Sequence, residues 1–213
     1  MPTTVYFVRH GESAWNAEAR YQGRLDAPLS ELGLRQADLL ARRFASVRLD
    51  AVYSAPLERA RVTAERVAAT HGLPVTDEPR LTEIDHGEWN GMPRSDVESR
   101  YPEMARLWRE SPDKVRMPGG ESLEDVRRRA TAALDAIALA HPNHAVLVVS
   151  HHAVLKVVLG TLLGMGLDGF WALEADHASV NIADLGGPWP LVTLVNDTCH
   201  LGDARAATPE TSV

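Results

Sequence analysis

The sequence predicts a three-layer α/β/α sandwich around a mostly parallel central sheet. Three observations carry that expectation. Short runs rich in β-branched and aromatic residues recur along the chain. Between them lie longer segments whose apolar residues repeat at helical spacing. Alternation of this kind builds strands side by side, each joined to the next by a helix that covers the sheet. The third is length: 213 residues suffice for one such domain with a full core.

Thr4 to Val8 is short and β-branched and runs straight into Arg9, His10 and Gly11, so it reads as a buried strand with basic residues at its end. Ser30 opens a helix in which Ala37, Leu40, Ala41 and Phe44 share a face. Ala51 to Ser54 is a second strand. Pro56 starts a helix with Leu57, Ala60, Ala64 and Val67 on one side. Pro74 to Glu78 is a candidate third strand.

Residues 86–118 mix polarities and contain Pro93, Pro102, Pro112 and Pro118, which suits loops and short helices. Ser122 with Asp125 makes a capping-box start to a long helix that ends near His141 and Pro142. Ala145 to Val149 is the strongest strand signal. Ala153 to Leu163 is an almost wholly apolar helix, and strands follow near Ser179–Leu185 and Leu191–Val195. The expected organisation is one domain over residues 1–201, with 86–118 as an insertion or lid, and a flexible polar tail over 202–213.

The charged side chains sum to a net charge of −7, from 22 Lys and Arg against 29 Asp and Glu. That argues against nucleic acid or an anionic membrane as a partner. Any cationic site for an anion must be local. Cys199 is the single cysteine, so no intramolecular disulfide is possible, which fits a reducing compartment. Met1 to Phe7 lacks the basic and long apolar regions of a leader, and no apolar run reaches the ~18 residues that span a bilayer. The expected location is cytoplasmic.

Parallel sheets collect functional groups beyond the C-terminal ends of their strands. Three segments put basic residues there: Arg9-His10-Gly11-Glu12, Arg59 just after the strand ending at Ser54, and His151 directly after the 145–149 strand. Two guanidinium groups and two imidazoles on one rim make an anion site, because the planar fork of arginine binds phosphate oxygens in pairs.

The run Val8-Arg9-His10-Gly11-Glu12-Ser13-Ala14-Trp15-Asn16 resembles the signature of the histidine phosphatase superfamily, the phosphoglycerate mutase-like proteins. Further blocks agree in order: Gly23 to Ser30 with Gly33 and Gln36-Ala37; Ser54 to Ala60 with Thr63-Ala64; Leu81-Thr82-Glu83-Ile84 with Gly87, Trp89 and Gly91; Gly119-Gly120-Glu121-Ser122; and Ser150-His151. The resemblance implies the phosphoglycerate mutase-like sandwich. It implies that His10 is a nucleophile that becomes phosphohistidine, that Arg9, Arg59 and His151 clamp the phosphoryl oxygens, and that Asn16 is a further donor. By the same resemblance Gln22 and Gly23 are expected to line the pocket, and His152, beside His151, is a further candidate for phosphate binding. Glu83 is implied as the acid for the leaving alkoxide and then the base for water. No metal or other cofactor is implied.

That chemistry requires these residue types. The attacking imidazole must be neutral with one nitrogen held by a hydrogen bond. Fixed cations stabilise charge on the three equatorial oxygens of the transferring group. A poor leaving group needs an acid, and a carboxyl stays protonated near neutrality only if burial or negative charge raises its pKa.

Several assignments stay open on sequence alone. Asp85 and Glu88 share the loop of Glu83 and compete for the acid role. His152 stands where the family often has glycine, and either its side chain or only its amide matters. His86 reads equally as a rim contact or a solvated residue. His141 and His144 have near-ligand spacing but straddle Pro142. Gly119-Gly120 reads as a turn. Trp89 and Trp108 either shape a pocket or pack the core.

The leading functional expectation is a metal-independent phosphatase for a small phosphorylated metabolite. The alternatives are a phosphoglycerate mutase, which returns the phosphoryl group to substrate, and a non-catalytic phosphate-binding protein. True mutases, as the family is known, carry a longer insertion before the second histidine than this chain has. The segment Asn196 to Leu201 is similar to that of broad-specificity and ribazole-phosphate phosphatases. The apolar strand near the C-terminus permits a homodimer without requiring one.

Overall fold

The structure, a computed structural model, describes residues 2–205. In chain order the elements are β1 (Thr3–Arg9), α1 (Ala14–Ala17), α2 (Glu31–Phe44), β2 (Ala51–Ser54), α3 (Glu58–Ala69), β3 (Val75–Asp77), α4 (Arg94–Arg100), α5 (Pro102–Glu110), α6 (Leu123–Ala140), β4 (Ala145–Ser150), α7 (His152–Leu162), β5 (Val180–Leu185) and β6 (Leu191–Asp197). The expected strands and the four long helices are all present, with ends displaced by one or two residues.

In β4 every residue after Ala145 is buried. Neighbours along a strand point to opposite faces, so burial of consecutive residues means that both faces of the sheet are covered. The covering comes from α2 packed on α3 and α6 packed on α7. Phe7, Val8, Leu40, Val67, Leu134, Val148 and Val154 belong to one continuous core. Each such side chain stabilises the fold by roughly 1.5–3 kcal/mol through burial.

The sheet has six strands in the order β3-β2-β4-β1-β5-β6. The first four in that order are mutually parallel, which sends the ends of β1, β2 and β4 to one rim. β5 runs antiparallel to β1, so it is the residues before β5 that arrive at this same rim. The Arg9 N–H donates to Ser179, and Ala178 donates to the His10 carbonyl.

Two local expectations shift. Pro56 does not begin α3; the helix starts at Glu58, and the side chain of Leu57 offers it no cap. The Glu58 N–H is instead accepted by both carboxylate oxygens of Asp26, at 3.0 Å each, so a distant loop supplies the cap. The expected polar tail is anchored at its start: Gln36 donates to the Ala204 carbonyl, and Arg205 pairs with Asp176. Residues 206–213 of that tail lie outside the described residues. The 86–118 stretch holds α4, α5 and short 3-10 turns, and it contributes Trp89, Val97, Ala105, Trp108, Val115 and Met117 to the common core.

Candidate active site

His10 follows β1 and is almost fully buried. Its main-chain N–H donates to Ser150 at the end of β4, so two parallel strands fix its backbone. The loop after it passes close to the first turn of α2. A Cβ on Gly11 would lie 2.5 Å from the Gly33 carbonyl oxygen, and one on Gly33 would lie 1.9 Å from that of Glu12, so this approach requires glycine on both sides. The His10 Nδ1 sits 2.6 Å from the Gly11 carbonyl oxygen. A carbonyl only accepts, so Nδ1 carries the hydrogen and Nε2 carries the lone pair. Burial, then the nearby Arg59 and Arg9 charges, hold the His10 pKa well below the ordinary histidine range. The ring is neutral near pH 7.

Arg9 and Arg59 are buried cations beside it. Arg9 donates to the Ala175 carbonyl at 2.8 Å and to His177 Nε2 at 2.8 Å. Arg59 donates to the carbonyls of Leu25 and Gly23, at 2.9 and 2.8 Å, which ties the 23–25 loop to the site. His151 lies edge-on to His10 with ring centroids 5.0 Å apart, and it is completely buried. Neither of its ring nitrogens has a hydrogen-bond partner among the described residues. Burial, then Arg59 and His10, lower its pKa well below the ordinary range. Buried polar atoms without partners cost free energy that an incoming oxygen recovers.

Glu83 is buried on the loop after the 3-10 turn Pro79–Leu81. Its carboxylate accepts the N–H of Ile84 at 2.9 Å and that of Ala153, in the first turn of α7, at 3.3 Å. Desolvation nevertheless dominates and raises its pKa, against the pull of the Ile84 N–H and Arg59. Asp85 behaves oppositely. Burial works against ionisation there too, but the Gly87 N–H, the Asn90 amide and Arg24 bring its pKa down. Glu88 is exposed and accepts from the Tyr101 hydroxyl. Of the three carboxyls, Glu83 alone lines the cleft of His10, and burial raises its pKa.

Arg9, His10, Asn16, Gln22, Gly23, Arg59, Glu83 and His152 all line this one cleft, whereas His151 is not in its lining and packs edge-on against His10. Asn16 commits its carboxamide oxygen to Ser13 in the capping box of α1, so a contact to substrate must use its Nδ2 hydrogens. His152 begins α7 and turns its ring edge toward Phe170. His86 also lines the cleft, stacked edge-on with Tyr21, and burial lowers its pKa to about 4. Trp108 forms wall together with Phe170 and Trp171, whereas Trp89 is fully buried behind Tyr21. Gly119 and Gly120 do not line the cleft, and a Cβ on Gly120 would meet the Asp85 carbonyl oxygen at 2.3 Å. His141 and His144 sit at the opposite end of the sheet, with His141 Nε2 2.9 Å from the Tyr53 hydroxyl.

His177, Arg20, Arg94, Phe170 and Trp171 are site residues that the sequence pattern does not reveal. His177 arrives on the lead-in to an antiparallel strand, and a search of C-terminal strand ends passes over it. No periodicity marks the aromatic pair in its 3-10 turn.

A neutral imidazole, two buried guanidinium groups and a buried carboxyl of raised pKa meet in one cleft at the rim of an α/β sandwich. The chain belongs to the histidine phosphatase superfamily (branch 1), whose family model matches residues 5–198. It is 43% identical over 199 residues to phosphoserine phosphatase 1 of Hydrogenobacter thermophilus, covering 93% of this chain and 94% of that protein. It is 35% identical over 206 residues to a Yersinia pestis protein named "Probable phosphoglycerate mutase GpmB", with 92% and 94% covered. Among solved structures, YhfR of Bacillus stearothermophilus superposes with a TM-score of 0.90 at 34% identity, covering 93% of this chain and 99% of that one. The fold is therefore the phosphoglycerate mutase-like sandwich, and the family relationship supports phosphatase activity.

Proposed function

We propose that the chain hydrolyses small phosphate monoesters through a phosphohistidine on His10, without a metal ion. The observation that carries this reading is the pairing of His10 and Glu83 in one cleft, the first neutral and the second biased toward its protonated form. His10 Nε2 attacks phosphorus, the bond to the ester oxygen breaks, and Glu83 gives its proton to the departing alkoxide. Glu83 then takes a proton from water as the water oxygen bonds to phosphorus and the phosphorus–nitrogen bond breaks. That returns neutral His10, protonated Glu83 and inorganic phosphate. Arg9, Arg59 and His151 stabilise the equatorial oxygens in both steps, the role that a metal ion plays elsewhere.

The phosphoserine phosphatase relative makes O-phosphoserine the first substrate to test. Arg20 and Arg94 line the same cleft and suit a substrate carboxylate. The GpmB relative supports a second reading, mutase activity from the same phosphoenzyme. The higher identity of the phosphatase relative and the short segment between Glu83 and His151 favour hydrolysis. A single cysteine and the lack of a helix long and apolar enough to cross a membrane among the described residues fit a cytoplasmic setting.

His10→Ala tests the mechanism. It should abolish turnover with the fold retained, and wild type quenched in alkali should carry acid-labile phosphate on His10. Turnover by His10→Ala, or loss of wild-type activity in EDTA with recovery on adding Mg²⁺ or Zn²⁺, would contradict the reading. With 3-phosphoglycerate and a trace of the bisphosphate, phosphate should be released faster than 2-phosphoglycerate forms; dominant isomerisation would favour the mutase.

A further inference from the structure

Arg129 lies two turns into α6, on the helix that the Ser122–Asp125 capping box starts. Its guanidinium carries five N–H donors, and the structure accounts for each. Nε and one Nη2 hydrogen bind the two carboxylate oxygens of Glu121, at 3.0 Å each, as a fork. The other Nη2 hydrogen goes to the Glu83 carbonyl at 3.2 Å. The Nη1 hydrogens go to the carbonyls of Arg80 and Thr82.

Glu121 grips the same loop from its other end. Its carboxylate accepts the Asp85 N–H at 3.0 Å, and its own N–H donates to the Asp85 carbonyl at 2.9 Å. The one remaining carbonyl between Arg80 and Glu83, that of Leu81, is taken by the Ser150 hydroxyl at 2.7 Å. Beyond the 3-10 turn Pro79–Leu81 the loop joins no strand or α-helix, yet the backbone is pinned at 80, 81, 82, 83 and 85.

From this we infer that Arg129, braced by Glu121, is a positioning residue for the proton transfers of Glu83. The inference rests on Glu83 being the acid and base of the proposed reaction. Arg129 does not line the cleft. It fixes where the Glu83 backbone stands, so that the carboxyl, held by the Ile84 and Ala153 N–H groups, meets the leaving oxygen and then the water at hydrogen-bonding range. Proton transfer is steeply sensitive to such placement. A lysine here is a single point charge on a flexible stem and cannot span three carbonyls and a carboxylate together.

The test is the leaving-group dependence of kcat/KM in Arg129→Lys, Arg129→Gln and Glu121→Gln, with thermal melts on each. The p-nitrophenolate of p-nitrophenyl phosphate leaves without acid help; the alkoxide of an alkyl phosphate such as O-phosphoserine or glycerol phosphate does not. In the folded variants kcat/KM for the alkyl ester should fall about tenfold or more beyond any fall for the aryl ester. Glu121→Gln, which keeps an acceptor for the fork, should fall less than either Arg129 variant. A purely structural role would lower both substrates together with the melting temperature and leave their ratio unchanged. An unchanged ratio in Arg129→Lys, beside a Glu83→Gln that does change it, overturns this role and leaves the proposed reaction standing. A Glu83→Gln with no leaving-group dependence removes the acid assignment, and the positioning role falls with it. Should Arg129→Gln fail to fold, Arg129→Lys and Glu121→Gln carry the comparison.

Discussion

Glu83 and Asp85 stand two residues apart on one loop, and their surroundings push the two carboxyl groups in opposite directions. Burial raises the first. The second accepts from the Gly87 N–H at 2.9 Å and the Asn90 amide at 2.8 Å, which favours its charge. A carboxyl that is charged at neutral pH has no proton to give. Glu83→Gln should accordingly lower kcat/KM for alkyl phosphates by roughly 10²-fold or more and for p-nitrophenyl phosphate far less, with a burst of nitrophenol as phosphoenzyme accumulates. Asp85→Asn should keep the wild-type leaving-group profile. The reverse pattern would move the acid by two residues.

The same raised pKa makes a prediction about stability. The folded state holds the Glu83 proton more tightly than the unfolded chain, whose carboxyl titrates near 4.5. Stability from this group is therefore full below about pH 4.5 and is lost as pH rises through the folded pKa. Glu83→Gln should remove that loss, so its melting temperature should exceed that of wild type at pH 8 by more than at pH 4.5. An equal offset at both pH values would contradict a raised pKa.

His86 has the opposite sign. Its pKa falls from 6.5 to about 4 on burial, so the unfolded chain binds the extra proton first. Its contribution is present above pH 6.5 and is lost as pH falls toward about 4. His86→Gln should flatten the acid side of the melting-temperature profile over that window. Wild-type steepness in the variant would mean that the ring protonates without cost.

Arg59 lines the cleft while its fork holds the Gly23 and Leu25 carbonyls, so in the proposed reaction it joins two tasks. Arg59→Ala should cost at least about 2–4 kcal/mol of transition-state stabilisation, measured as kcat/KM. Arg59→Lys should recover part of it, since the charge returns without the fork. Full recovery by lysine would show that charge alone suffices.

Gly33 lies in the first turn of α2, where alanine would ordinarily favour a helix by about 1 kcal/mol. Here a Cβ would strike the Glu12 carbonyl oxygen and displace the loop that carries His10. Gly33→Ala should lower kcat/KM by about tenfold or more, since displacement of reacting groups by about 1 Å can cost 10²-fold. Unimpaired kinetics would show that the loop can yield.

Much of this molecule is legible in its sequence for identifiable reasons. The Ala145–Val149 run is buried on both faces, so it lacks polar alternation and stands out at once. His10, Arg59 and His151 follow strand ends, where a parallel sheet gathers them. What stays hidden depends on contacts between distant segments. Asp26 caps α3 from another loop, so Pro56 misleads about where the helix begins. Arg129 looks like one of three arginines in a row at 127–129, and only the acid loop packed against α6 separates it from its neighbours. His177 depends on a strand running backwards, a direction that hydrophobic pattern does not encode.

The placement of His10 between Ser150 and Ala178 has a consequence for the life of the chain. The groups that complete its backbone hydrogen bonds are made 140 and 168 residues later in synthesis. Contacts of such long range form slowly, after much of the chain has been ordered. His10 is thus one of the first cleft residues to be synthesised, while its backbone waits for segments made near the end. A nascent or partly opened chain carries His10 without the Ser150 and Ala178 contacts that fix its backbone.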